Sequence, residues 1–89
     1  MPRIVFTKNL ERHIHCPPQT VSGNTVGEVL TAAFVINPGL RSYILDDQGQ
    51  LRKHILVAVD GQIIADRSAL SDPVKENAEV YVLQALSGG

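Results

Sequence analysis

The sequence predicts an α+β domain in which a mixed β-sheet packs on one main α-helix, with a second, shorter helix beside it. Three observations lead there. A capped apolar stripe begins at Thr25. Two runs with period-two alternation, His54–Val59 and Glu79–Leu83, read as strands, and the first ends on Asp60-Gly61, a favoured two-residue hairpin turn. The elements follow the order β, β, α, short α, β, β, β, and strands on both sides of a single main helix place that helix on one face of a shared sheet. At 89 residues the chain is one domain, 1–89, without room for a second core.

Ile4-Val5-Phe6-Thr7 is β-branched and aromatic, follows Pro2 and reads as the first strand. Leu10 to Cys16 is mixed, either a second strand or an irregular arm, and Pro17-Pro18 interrupts it because neither ring can donate to a ladder. Gln19-Thr20-Val21 continues the pairing until Ser22-Gly23-Asn24 breaks it. Thr25-Val26-Gly27-Glu28 has capping-box spacing: the hydroxyl accepts from the third helical amide while Glu28 reaches back to the cap amide. Val26, Val29, Leu30 and Ala33 form a core-facing stripe, widened by Phe34 and Val35. Asn37-Pro38 ends the helix, since a residue before proline leaves the helical region.

A short helix follows from Pro38, with Leu40 and Ile44 one turn apart. Asp46-Asp47-Gln48-Gly49-Gln50 reads as a polar turn. Gln62-Ile63-Ile64 returns from the hairpin as a short strand. Leu70 is expected to plug the core, Val74 to pack beneath the Ser71-Asp72-Pro73 turn, and Asn77 to supply a left-handed position before the last strand.

Alternation assigns the faces of the two long strands. Val80, Val82, Ile55, Val57 and Val59 share the helix side. The opposite side carries Leu56, Ala58, Tyr81 and Leu83, too apolar for a purely solvated surface, and reads as a partner-docking patch beside the tail. The competing reading covers it with Leu51 or with the Leu10–Cys16 arm.

Composition narrows the function. A net charge of −1 argues against non-specific nucleic-acid binding, which needs a basic excess. One cysteine, Cys16, allows no internal disulfide and no Cys-rich cluster, which fits a reducing, cytoplasmic compartment. The first residues lack the long apolar region of a signal peptide, and no run reaches membrane-spanning length, so no membrane partner is expected. His13 and His15 share a strand face while Cys16 points away, a pattern that gives no metal site. Cys16 lacks an identifiable base, and Asp46-Asp47 lacks a pocket. Arg52-Lys53 with Arg41 can face an acidic partner, although solvated charge explains them as well.

The last eleven residues, Glu79 to Gly89, begin as an alternating strand and end in Gly88-Gly89. Glycines lack Cβ, so such an end can enter a narrow channel. The reactive group expected here is the α-carboxylate of Gly89, with Leu86 as an anchor, and Ser87 and Gly88 as the slender approach, in an extended tail at about 84–89.

The segment Glu79-Val80-Tyr81-Val82-Leu83-Gln84-Ala85-Leu86-Ser87-Gly88-Gly89 resembles the end of the small sulfur-carrier proteins of thiamine and molybdopterin synthesis, the ThiS/MoaD family. Thr25-Val26-Gly27-Glu28-Val29-Leu30 and Val57-Ala58-Val59-Asp60-Gly61 resemble the corresponding blocks, in the same order, from about Ser22 onward. The resemblance implies the ubiquitin-like β-grasp fold. It also implies that an E1-like enzyme, using ATP and magnesium, adenylates the Gly89 carboxylate. Sulfur from a donor system then displaces AMP, and the resulting thiocarboxylate supplies a sulfur-accepting synthase in molybdopterin, thiamine or cysteine-type biosynthesis. The carrier would hold no cofactor and would not itself be an enzyme. Two departures stand out: Gln84-Ala85 replaces the prolines of many relatives, and Asn77-Ala78-Glu79 replaces their glycine-acid turn. The same tail also suits a ubiquitin-like modifier joined to lysines. A plain β-grasp interaction module would need no tail chemistry.

Overall fold

Five strands form one mixed sheet in the computed structural model, which describes residues 1–6 and 17–84. In chain order the elements are β1 (Arg3–Phe6), β2 (Gln19–Thr20), α1 (Val26–Ile36), α2 (Gly39–Ile44), β3 (Ile55–Val59), β4 (Gln62–Ile63) and β5 (Glu79–Gln84). The sheet order is β2-β1-β5-β3-β4. The last strand is therefore the central one, parallel to β1 and antiparallel to β3, while both outer pairs are antiparallel. Element order and mixed sheet agree with the sequence reading. The expected Leu10–Cys16 strand or arm lies outside the described residues.

The core fills the space between the sheet and α1. Ile4, Phe6, Ile55, Val57, Val80 and Val82 meet Val26, Val29, Leu30, Ala33 and Phe34, with Leu40, Ile44, Leu45 and Leu51 closing one side. Val59 packs against the same cluster, so the predicted helix-facing set is correct. Leu70 and Val74 are buried as expected. No buried residue among those described is polar or charged. No described helix is long and apolar enough to cross a membrane.

The start of α1 is tied to the chain on three sides. Thr25 Oγ1 accepts from the Glu28 amide at 3.2 Å, as the capping box requires. Glu28 Oε1 instead accepts from the Asn24 amide at 2.9 Å, one residue before the expected cap amide. The Val26 and Gly27 amides donate to Asp72 O at 3.0 Å and Leu70 O at 2.9 Å, so the orphan donors of the first turn find loop carbonyls. This docking holds Leu70 at φ 58°, an uncommon left-handed position for a branched residue, while its side chain stays in the core.

Three expectations need correction. Val35 is 77% exposed and does not widen the stripe, because one step of the helix carries it past Phe34 to the solvent side. Asn77 is not left-handed; among the described residues the non-glycine ones with positive φ are Asp60, at 49°, and Leu70. The turn into β5 closes instead through the Ala78 amide on Lys75 O, at 3.1 Å. Leu51 belongs to the core and bridges Leu45, so it does not cover the open sheet face.

Candidate functional site

The site is built on β5. Its sequence alternates Val80 and Val82, both fully buried, with Tyr81 and Leu83 on the other side. Ladders on both flanks fix its register: Val80 and Val82 lie opposite Ile4 and Phe6 on β1, and opposite Val59 and Val57 on β3. A strand paired on both edges and buried on one face is held as firmly as this fold allows. It ends at Gln84, paired with Ile55, five residues before Gly89. Leu86, Ser87, Gly88 and Gly89 lie outside the described residues, as do Ala85, His13, His15 and Cys16.

The open face brings the four predicted patch residues together. Leu56 faces Leu83 and Ala58 faces Tyr81 across the β3–β5 ladder. The row continues on both sides. Val5 lies opposite Tyr81, and Ile63 lies opposite Ala58. Val5-Tyr81-Ala58-Ile63 thus crosses four strands, with Leu83-Leu56 as a second row nearer the end of β5. Exposure is uneven. Ile63 is 57% and Tyr81 37% exposed, Leu56, Leu83 and Val5 are half-buried, and Ala58 is buried at 7%. Ala58 therefore forms a floor between larger neighbours rather than a contact of its own. The sequence reading missed Val5 and Ile63. The alternation of Ile4 and Phe6 marks Val5 as outward-facing, and the two-residue turn sets Ile63 opposite Ala58. Asp60 at φ 49° and Gly61 at φ 87° make that turn the left-handed type suited to a hairpin.

Polar groups border the row on the side away from Gln84. The Tyr81 hydroxyl donates to Glu79 Oε1 at 3.1 Å, and Glu79 Oε2 lies 3.8 Å from Arg3 Nη1. The hydrogen bond to the Glu79 carboxylate, and then its charge, raise the Tyr81 pKa, so the ring presents a neutral phenol. Glu79 is itself placed by its amide, which donates to Asp60 Oδ1 at 2.9 Å. At the other end, Gln84 Oε1 is buried without a partner among the described residues.

The remaining candidates are separated. Arg41 borders a hollow with Glu28, Thr31 and Leu45, whereas Arg52 and His54 border another with Ser42 and Tyr43. Arg52 Nε donates to Ser42 O at 2.8 Å. Asp46 Oδ1 accepts the Gln48 and Gln50 amides at 2.9 and 3.0 Å, which makes it a turn residue, as expected. Among the described residues no three His, Cys, Asp or Glu side chains cluster as metal ligands. The arrangement offers a central strand paired on both edges, next to an apolar platform.

Comparison with known proteins places this geometry. The chain matches the model of the ThiS family over residues 16–89. No curated protein matches it. Among solved structures, it is similar to SAMP1 from Haloferax volcanii, at 26% identity and TM-score 0.78, over 99% of this chain and 98% of that one. It is also similar to the Amycolatopsis orientalis BexX/CysO complex, at 20% identity and TM-score 0.84, over all of both chains (100% and 100%). CysO from Mycobacterium tuberculosis aligns at 18% identity and TM-score 0.81, over 97% of this chain and 100% of that one. At these identities the two CysO likenesses establish the ubiquitin-like β-grasp fold. The family model spans most of the chain and includes all three blocks first noted in the sequence, so the protein belongs to the ThiS family of small ubiquitin-like sulfur carriers and modifiers.

Proposed function

We propose that the protein is a sulfur carrier whose reactive group is the Gly89 α-carboxylate. The observation that carries this reading is the central, doubly paired β5, which stops at Gln84, only five residues before Gly89. A fully extended five-residue segment reaches at most about 17–18 Å. The Gly89 carboxylate can therefore enter a partner's channel while β5 stays in the sheet.

A carboxylate resists substitution until one oxygen becomes a good leaving group. In the proposed cycle its oxygen attacks the α-phosphorus of ATP on an E1-like enzyme that also supplies magnesium. Pyrophosphate leaves and the acyl-adenylate forms. Sulfide sulfur from a donor then attacks the acyl carbon and AMP departs, leaving a thiocarboxylate for a sulfur-accepting synthase. The activating enzyme supplies the catalytic groups. This chain supplies the electrophile and its positioning, and it acts in the cytoplasm as a co-substrate rather than as an enzyme. Leu56, Ala58, Tyr81 and Leu83, with Val5 and Ile63, form the proposed docking platform, and Leu86, Ser87 and Gly88 the slender approach.

The test is ATP–pyrophosphate exchange with the cell's E1-like enzyme. The natural chain should support it. A chain with one residue appended after Gly89 should not, because the carboxylate moves by about 3.3–3.6 Å and activation tolerates misplacement of only about 1 Å. Equal exchange by both chains would refute the assignment.

The likeness to SAMP1, a small archaeal modifier protein, favours one second reading: a modifier that uses the same activation and is then transferred to lysine amines. Isopeptide-linked adducts joined through Gly89 to a lysine amine would establish that outcome. A thiocarboxylate without such adducts would establish the carrier.

A further inference from the structure

We infer that Gln84 is a positioning residue for activation: its side-chain carbonyl, held without a donor in the free chain, turns onto a hydrogen-bond donor of the activating enzyme at the mouth of the channel that receives Gly89. The inference deepens the carrier reading and rests on it for the identity of the partner.

Gln84 stands where the alternation of β5 calls for an apolar residue. Positions 80, 82 and 84 share the face that packs on the helix. Val80 and Val82 are fully buried, and so is Ile55, which pairs with Gln84 across the ladder. Gln84 itself is half-buried, yet its Oε1 is shielded from solvent and accepts no hydrogen bond from any described residue. No other buried side-chain nitrogen or oxygen among the described residues lacks a partner. A shielded carbonyl without a donor destabilises the chain that holds it, and an apolar side chain of similar length would avoid that cost. This acceptor sits on the last paired residue of the central strand, at the root of the five-residue tail.

An acceptor in this state gains most from a donor brought from outside. The residue already reaches the surface, so rotation about its own side-chain bonds exposes the oxygen, and no described hydrogen bond holds Oε1 back. The group offered is a neutral carbonyl, which takes an N–H or O–H group and needs no counter-charge.

Placement gives the bond its use. Leu83 faces the open side of the sheet and Gln84 the helix side, so a partner that covers the open face and closes around the tail touches both. Contacts on opposite faces of adjacent residues fix the direction in which the tail leaves the sheet. The tail is an arm of at most about 17–18 Å. A swing of about 3–4° at its root moves the tip of an extended arm by about 1 Å, the misplacement that activation tolerates. Gln84-Ala85 has no proline ring to hold that direction from within the chain.

The test compares the full natural chain with Gln84→Met, which keeps the side-chain length and removes the acceptor. Urea denaturation reads the free chain, and ATP–pyrophosphate exchange with the cell's E1-like enzyme, at varied carrier concentration, reads kcat and KM. Gln84→Met should have a midpoint equal to or above that of the natural chain, because an orphan acceptor is gone. Its kcat should fall roughly tenfold while KM stays within about twofold, because the platform still binds and only the tail is misdirected. A lowered midpoint would show that water or the chain itself already pairs the carbonyl, and would overturn the inference whatever the rate. An unchanged kcat, or a raised KM at unchanged kcat, would overturn it as well. In each of those cases exchange by the natural chain leaves the carrier chemistry standing. No exchange by the natural chain, from an enzyme active on another carrier, refutes the carrier reading and this inference with it.

Discussion

Adjacent residues on β5 should fail in opposite ways when altered. Val82 is fully buried, between Phe6 on one neighbouring strand and Val57 on the other. Val82→Ala removes two methyl-sized groups, about 1.6 kcal/mol of transfer energy, and the residual cavity raises the cost to about 2–3 kcal/mol. A domain of this size typically has about 4–13 kcal/mol of stability, so the variant still folds. Leu83 is half-buried on the open face opposite Leu56. Leu83→Asp gives up only part of a leucine's burial and keeps the new carboxylate in water, about 1 kcal/mol or less. In the docked complex the same carboxylate would lie in an apolar contact, and at least about 1.4 kcal/mol, or tenfold in affinity, should be lost. Urea denaturation reads the first quantity, and the KM and kcat for carrier in the adenylation reaction read the second. The expected pattern is a lowered midpoint with unchanged KM for Val82→Ala, and a near-native midpoint with raised KM for Leu83→Asp. A wild-type KM in Leu83→Asp would refute the docking platform. Comparable loss of stability in both variants would refute the assignment of faces.

Three further changes probe the scaffold. A Cβ at Gly23 would come within 2.8 Å of the Val29 backbone nitrogen and Cγ2, so Gly23→Ala should cost about 1–3 kcal/mol in urea denaturation. Thr25→Ala removes the acceptor for the Glu28 amide and should cost about 1 kcal/mol in the same assay. Asp66 titrates at about 2 instead of 3.8, chiefly because the Ser71 hydroxyl and then the Ala69 amide bind its anion, with the Ser71 and Ser68 amides contributing less. A lowered folded pKa stabilises the folded chain above the unfolded value and loses that contribution as pH falls through the folded one. The stability advantage of the natural chain over Asp66→Asn should therefore be full above pH 3.8 and shrink as pH falls towards about 2; a pH-independent gap in denaturation curves would contradict the Asp66 network.

Much of this molecule is legible in its sequence because side-chain periodicity survives folding. Alternation in Ile55–Val59 and Glu79–Leu83 identifies the core face, and Asp60-Gly61 announces the hairpin. Thr25 and Glu28 announce the helix start. Contacts between distant segments are not written in local pattern. Nothing near Asn24 reveals that its amide, rather than that of Thr25, meets Glu28. Leu70 is left-handed because its carbonyl must reach the Gly27 amide, a tertiary demand that overrides local preference. Asn77 has the residue type for such a position and lacks the demand. For the site, the patch was readable on the two long strands. Val5 and Ile63 join it through the parallel β1–β5 pairing and the hairpin register, which extend the row across the sheet. Arg41 and Arg52 are near in sequence yet border different hollows, because the turn of α2 separates them.

The account stands on one atom group, the Gly89 carboxylate, and intact-mass spectrometry addresses it directly. The full chain is incubated with its E1-like enzyme, ATP, magnesium and a sulfide source, then weighed and fragmented. The predicted result is a mass with one oxygen replaced by one sulfur, located on Gly89. An unchanged mass from an enzyme shown to be active on another carrier, or sulfur located on Cys16, would contradict it.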